Sequence, residues 1–135
     1  MDEGVTPLFA AAQGGHPEVV GRLLAVPGVN VNLTSNTGAT PLSIAAQNGQ
    51  VDVVEQLLDA PGVDVNQARN TGATPLYVAA QHGHTEVVER LLAAPEVDVD
   101  KARMNGSTPL STALARGHAE VAEMLRAAGA TEPHG

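Results

Sequence analysis

The chain has 135 residues, a formal net charge of −8 and a sequence pI near 4.9. Acids outnumber Lys and Arg by 15 to 7, which argues against binding nucleic acid or anionic membranes, because a surface that tracks phosphates needs clustered cations. One Phe, one Tyr, no Trp and no Cys exclude disulfides, thiolate zinc sites and cysteine nucleophiles, and leave Ala, Val and Leu to build a core of thin layers. No apolar stretch approaches the ~18 residues a membrane span needs, and Met1-Asp2-Glu3-Gly4 lacks the basic and apolar parts of a signal peptide. An intracellular, cytoplasmic chain is expected, since the lack of cysteine fits a reducing compartment. Solubility and self-repulsion between copies are the expected results of the charge, and a monomer is expected.

Thr-Pro occurs at Thr6-Pro7, Thr40-Pro41, Thr74-Pro75 and Thr108-Pro109, always 34 residues apart and always followed by Leu. A fixed period between ~20 and ~50 residues marks a stacked repeat architecture. Residues 35–68 and 69–102 are identical at 22 of 34 positions, so one unit is being reused. The expected organisation is a single repeat domain over 1–135, with repeats 1–34, 35–68, 69–102 and 103–130 and a C-terminal tail 131–135.

In the first repeat, Met1 falls at the first turn position, so most of the incoming arm is missing. The first helix carries Ala10 where the inner repeats have Ile44 and Val78, while the second keeps Val19, Val20, Leu23 and Leu24. This predicts a weak N-terminal cap.

The second repeat shows the unit most plainly. Thr40 reads as a helix N-cap, whose hydroxyl accepts from an orphan N–H, and Pro41 as the first helical residue, where no N–H is needed. Leu42, Ile44, Ala45 and Ala46 continue a short helix that Gly49 ends in a left-handed conformation. A second helix is predicted over Val51 to Ala60, with Val53, Val54, Leu57 and Leu58 on one face and Asp52, Glu55, Gln56 and Asp59 off it. Asp52, like Glu18, Glu86 and Glu120, lies in the first turn against the positive end of the helix dipole. Pro61-Gly62 stops the helix. Val63-Asp64-Val65-Asn66 alternates with period two and reads as a short extended arm with both valines on one face. The turn Asn70-Thr71-Gly72-Ala73 leads into the third repeat. Neither helix is long enough to stand alone in water, so each repeat must bury its apolar face on a neighbour.

The fourth repeat differs at its second helix, with Ala122 and Arg126 where the third has Val88 and Leu92. Polar substitution on the last exposed face is what a terminal cap needs, and the array is expected to end near Gly129. Glu132-Pro133-His134-Gly135 reads as a loose tail.

The string Gly38-Ala-Thr-Pro-Leu-Ser-Ile-Ala-Ala-Gln-Asn-Gly49, with Val53-Val54, Leu57-Leu58 and the Gly-His pairs Gly15-His16, Gly83-His84 and Gly117-His118, closely resembles the ankyrin repeat over essentially the whole chain. The resemblance implies an all-α ankyrin-repeat solenoid of stacked antiparallel helix pairs with projecting β-hairpin-like turns. Three departures stand out. The period is 34 rather than the family's usual 33, with the extra residue in the Pro-Gly-Val segment. The His that usually follows Thr-Pro-Leu is replaced by Phe9, Ser43, Tyr77 and Ser111, so its hydrogen bond to the turn is missing or replaced. The Asp three residues before the turn glycine is replaced by Ser35, Arg69 and Arg103.

In the family, partners usually meet the turn tips and the inner face of the first helices. Carried over, the tips are Asn36, Thr37 and Ala39, then Asn70, Thr71 and Ala73, then Met104, Asn105 and Ser107. The first-helix positions are Phe9, Ser43, Tyr77 and Ser111, with Gln47, Asn48, Gln81, His82 and Arg116. Against this, Asn-Thr-Gly-Ala occurs twice unchanged and its residues are simply good turn formers. Aromatics are enriched at binding hot spots, but Tyr77 and Phe9 equally suit filling the space of the missing His. The favoured patch is the track Tyr77, Gln81, His82 and Arg116. His82-Gly83-His84 does not supply the three or four converging ligands of a zinc site, and no metal or other cofactor is expected. No phosphate loop or nucleophile motif is present. Arg69, Lys101, Arg103 and Arg116 lie toward the turns and first helices, whereas acids crowd the second helices and arms, so an acidic or polar partner segment is a candidate for docking there.

These readings point to a non-enzymatic protein–protein interaction module with an unidentified protein partner. The alternatives are a stable repeat scaffold, natural or engineered, without a dedicated partner, and a small-ligand or enzymatic site in the groove.

Overall fold

The structure is a computed structural model and describes residues 6–131. Within them the chain forms eight short helices and no strand: α1 (Pro7–Gly14), α2 (Pro17–Leu24), α3 (Pro41–Gln47), α4 (Val51–Leu58), α5 (Pro75–His82), α6 (Thr85–Leu92), α7 (Pro109–Ala115) and α8 (Ala119–Ala127). Odd-numbered helices pack on one another in one layer, even-numbered helices in a second, and each odd helix packs on the even helix that follows it. The result is a two-layered all-α solenoid of four helix pairs. Met1, at the first turn position, and the predicted tail Glu132 to Gly135 lie outside the described residues.

Each odd helix starts as its sequence requires. The hydroxyls of Thr6, Thr40, Thr74 and Thr108 accept from the backbone N–H three residues on, each at 3.1 Å, and proline occupies the next position. Gly15, Gly49, Gly83 and Gly117 follow the helices with φ between 68° and 76°, a region that penalises any residue with a Cβ.

The second helix of the second repeat ends earlier than its pattern predicts. α4 stops at Leu58 rather than Ala60. The N–H of Ala60 donates to the Leu57 carbonyl at 3.1 Å, one residue tighter than α-helical bonding. Pro61 explains this, since the residue before a proline is pushed out of the α region. The arm that follows is also not the extended segment that period-two alternation suggests. Asp64 Oδ1 accepts from the Asn66 N–H at 3.0 Å and bends the chain there. Val65 is buried by that bend while Val63 is only half-buried. Asn30 and Asp98 make the same local bond to Asn32 and Asp100. A short polar side chain bonding its own backbone wins over alternation.

The core is a ladder of equivalent positions. Leu42, Leu76 and Leu110 are fully buried on the odd helices, and Leu57, Leu91 and Leu125 on the even ones; each contributes roughly 1.5–3 kcal/mol of burial. The first rung is looser. Val19 is 48% exposed, where its equivalents Val53 and Val87 are 1% and 0% exposed, and Ala10 is exposed where Ile44 and Val78 are buried. At the other end Ala122 is buried and Arg126 is exposed.

Candidate partner-binding face

The turns are built over the odd helices by two sets of backbone bonds. Each turn closes on itself: Ser35, Arg69 and Arg103 N–H groups donate to the carbonyls of Ala39, Ala73 and Ser107 at 2.8 to 2.9 Å. Successive turns then bond to each other, Asn70 N–H to the Thr37 carbonyl at 2.8 Å and Met104 N–H to the Thr71 carbonyl at 2.9 Å. The Asn70 side chain adds a bond to the Asn36 carbonyl at 3.0 Å. Replacement of the usual Asp by Ser or Arg therefore leaves the turn base ordered through its backbone.

Two of the family departures meet in space. Arg69, at the base of one turn, donates through Nε to Ser43 Oγ of the preceding repeat at 2.7 Å. One repeat on, the Arg103 guanidinium lies 5.6 Å above the centre of the Tyr77 ring. In the second and third repeats the side chain that replaces His thus pairs with the one that replaces Asp in the next turn. Among the described residues Ser111 has no such partner. Its hydroxyl turns back to its own helix, accepting from Thr108 N–H at 2.8 Å and completing a capping box.

Burial pushes the Tyr77 phenol up. Hydrogen bonds with Thr112, Ser107 and Arg103, and the charge of Arg103, outweigh it and hold the group below its ordinary value. Arg69 is lowered from its ordinary value by burial alone.

Thr37, Thr71, Tyr77 and Gln81 come together around one open hollow of about 290 Å³, joined by Arg69, Ala73, Val78 and Arg103. Asn36, Asn70, Met104 and Asn105 stand exposed at the turn tips, Met104 at 82%. Two predicted contact residues are corrected by the geometry: Ser43 is 0% and Tyr77 2% exposed, because Arg69 covers the one and Arg103 the other. Tyr77 is a wall of the hollow and not a projecting anchor. Ala39 and Ala73 are also buried, as is Phe9, which packs in the core. The expected track is divided: Tyr77 and Gln81 line the hollow, whereas exposed His82 and Arg116, at the far ends of α5 and α7, do not.

His82 Nδ1 donates to the Val78 carbonyl at 2.9 Å, and its ring stacks on His84 at 5.9 Å. His84 Nε2 donates to the Gln47 carbonyl at 2.8 Å and His118 Nε2 to the Gln81 carbonyl at 3.1 Å. His84 and His118 thereby lock neighbouring repeats, whereas the His82 bond stays within α5. In the second repeat, where Gln50 replaces the His, Asn48 Nδ2 makes the equivalent bond to the Gln13 carbonyl at 3.1 Å. Asn48 is thus held by the stack although it is exposed. No group of three His, Asp or Glu converges among the described residues, and no described helix is long and apolar enough to cross a membrane.

The sequence marked Arg69 and Arg103 as cations near the turns but kept them out of the track Tyr77, Gln81, His82 and Arg116, although both line the hollow. The available signal was that two departures from the repeat pattern recur at the same two positions in successive units.

No curated protein matches the chain. A family model described as ankyrin repeats (3 copies) matches residues 1–69 and 60–133. Repeats of this kind are in general non-enzymatic protein–protein interaction modules. With four capped helix pairs, interlocked turns and a match over nearly the full length, this chain belongs to the ankyrin repeat family.

Proposed function

We propose that the chain is a monomeric, non-catalytic interaction module that binds a protein partner across the turn tips and the adjoining face of the odd helices. The observation that carries this is the division of chemistry between the two sides. Every described acidic residue lies on an even helix or in the segments after them, among them Asp52, Glu55, Glu86 and Glu120. The turns and odd helices carry none, and there Arg69, Arg103 and Arg116 accompany exposed Asn36, Asn70, Met104 and Asn105. An exposed Met beside Arg and amide side chains is a composition enriched in recognition surfaces and able to adapt to a partner.

Selection of a displayed random-peptide library against the immobilised chain tests the reading. Backbone amide shifts of a selected peptide's complex are expected to change at residues 36–37, 70–71 and 104–105. Changes confined to α2, α4, α6 and α8 overturn it. Sedimentation is expected to give a single monomeric species.

A further inference from the structure

Arg69 is held by one hydrogen bond at Nε, while its Nη2 is buried without any partner. A buried guanidinium nitrogen without an acceptor is a costly group to keep. Arg103 lines the same hollow from the next repeat, resting on Tyr77. Among the described residues no carboxylate pairs with either arginine, whereas Arg90 on α6 pairs with Glu55 at 2.9 Å and with Glu89 at 3.1 Å. The wall of the hollow holds two cations, the hydroxyls of Thr37 and Thr71, the Gln81 amide and no acid. In a chain of net charge −8, this is a local reversal of sign, with an unfilled donor on one residue of its wall.

We propose that this hollow is a carboxylate pocket: it receives one Asp or Glu side chain from an acidic segment of a protein partner. The carboxylate accepts from the guanidinium groups of Arg69 and Arg103 that line the hollow, with Thr37 and Thr71 hydroxyls beside them. A guanidinium presents its donors in a planar fork that matches a carboxylate. The field of the acidic outer face favours a single negative charge over a polyanion such as nucleic acid. The pocket also assigns a role to the pairing of Ser43 with Arg69. That bond ties down Nε and so fixes the guanidinium, and little side-chain freedom is lost when a partner arrives. The proposal rests on the reading of the inner face as a partner surface.

The test uses peptides selected from a displayed random library against the whole chain. The enriched peptides are expected to share an Asp or Glu at one position. Changing that residue to Asn or Gln, or making Arg69→Gln or Arg103→Gln in the protein, is expected to weaken binding about 10- to 100-fold. Arg22→Gln, exposed on α2 and away from the turns and odd helices, serves as a control and is expected to change binding less than about threefold. Circular dichroism shows that each variant keeps its helices, and Arg69→Lys keeps charge while losing the fork, so binding between wild type and Arg69→Gln is expected. Peptides that bind at the inner face without a shared acid, or without sensitivity to both Gln variants, overturn the pocket and leave the interaction face standing. Failure to enrich any peptide overturns both. Displacement of a selected peptide by inorganic phosphate at concentrations where acetate has no effect overturns the carboxylate assignment in favour of a phosphate-bearing ligand.

Discussion

Arg69 Nε and Ser43 Oγ stand 2.7 Å apart across the boundary between the second and third repeats. They are 26 residues apart in the chain, and the same interval separates Arg103 from Tyr77. The bond therefore joins the base of one turn to the first helix of the preceding unit. Ser43→Ala removes the acceptor and leaves a second buried guanidinium nitrogen unpaired. We expect a loss of about 1–3 kcal/mol in urea unfolding. An unchanged midpoint would show that the bond contributes nothing and that Arg69 is placed by packing alone.

The single tyrosine provides its own readout, because the chain has one Tyr and no Trp. Phenolate absorbance is expected to rise at a pH below that of free tyrosine, near 10, since the bonds to Thr112, Ser107 and Arg103 and the Arg103 charge outweigh burial. Arg103→Gln removes a charge and is expected to move the transition to higher pH. The linkage has a definite sign. The folded group releases its proton before the unfolded one, so the stability it contributes is absent below the folded value. It grows as pH rises toward the unfolded value and is complete above it. A transition that Arg103→Gln leaves in place contradicts the assigned cause.

Two turn glycines separate backbone strain from steric crowding. Gly72 and Gly106 both have φ of 89°. A Cβ on Gly72 would sit 2.9 Å from the Met104 backbone nitrogen, whereas one on Gly106 meets nothing within 4 Å. Gly106→Ala is expected to cost about 1–2 kcal/mol, the left-handed penalty alone. Gly72→Ala is expected to cost more, because it also presses on the bond from Met104 N–H to the Thr71 carbonyl. Equal losses in denaturant melts would mean that the turns slide apart freely.

Much of this architecture was legible in local sequence. Thr-Pro-Leu announced four capped helices because capping is settled within three residues, and the face Val53, Val54, Leu57 and Leu58 marked a helix that the structure contains. The Pro61 stop was seen but set two residues late, and the arm was read from alternation when Asp64 bends it by a side-chain bond. The contacts that shape the turns and the adjoining face of the odd helices were hidden for a different reason. Arg69 reaches Ser43 across 26 residues and Asn48 reaches Gln13 across 35. No periodicity within one repeat encodes a contact between two. The burial of Ser43 and Tyr77 follows from the arginines above them, so residues that looked like surface positions on their own helices are covered by the next unit.

The junction between even helix and turn carries a second ladder whose contribution can be measured. Asn66 Nδ2 donates to the Glu96 carbonyl at 2.7 Å, and its Oδ1 accepts from Asp98 N–H at 2.7 Å. Asn32 does the same one repeat earlier, to the Gly62 carbonyl and from Asp64 N–H, each at 2.8 Å. At the last rung Asp100 takes the place of Asn and accepts from both Thr131 N–H and Thr131 Oγ1 at 2.9 Å. The change of residue type fits the change of partner, since Thr131 offers two donors and Asp accepts both. Asn66→Ala removes both bonds of its rung at an exposed site and is expected to cost about 1–3 kcal/mol in all. Asn66→Asp keeps the acceptor for Asp98 N–H but sets a carboxylate oxygen against the Glu96 carbonyl, so it is expected to destabilise nearly as much. The reciprocal change Asp100→Asn is expected to cost less, because one oxygen still accepts from Thr131. Native-state amide exchange at Asp98 should accelerate in Asn66→Ala while exchange at Asp64 stays as in the wild type. Equal acceleration at both amides would mean that the rungs open together, and that the stack is more cooperative than a sum of neighbouring interfaces.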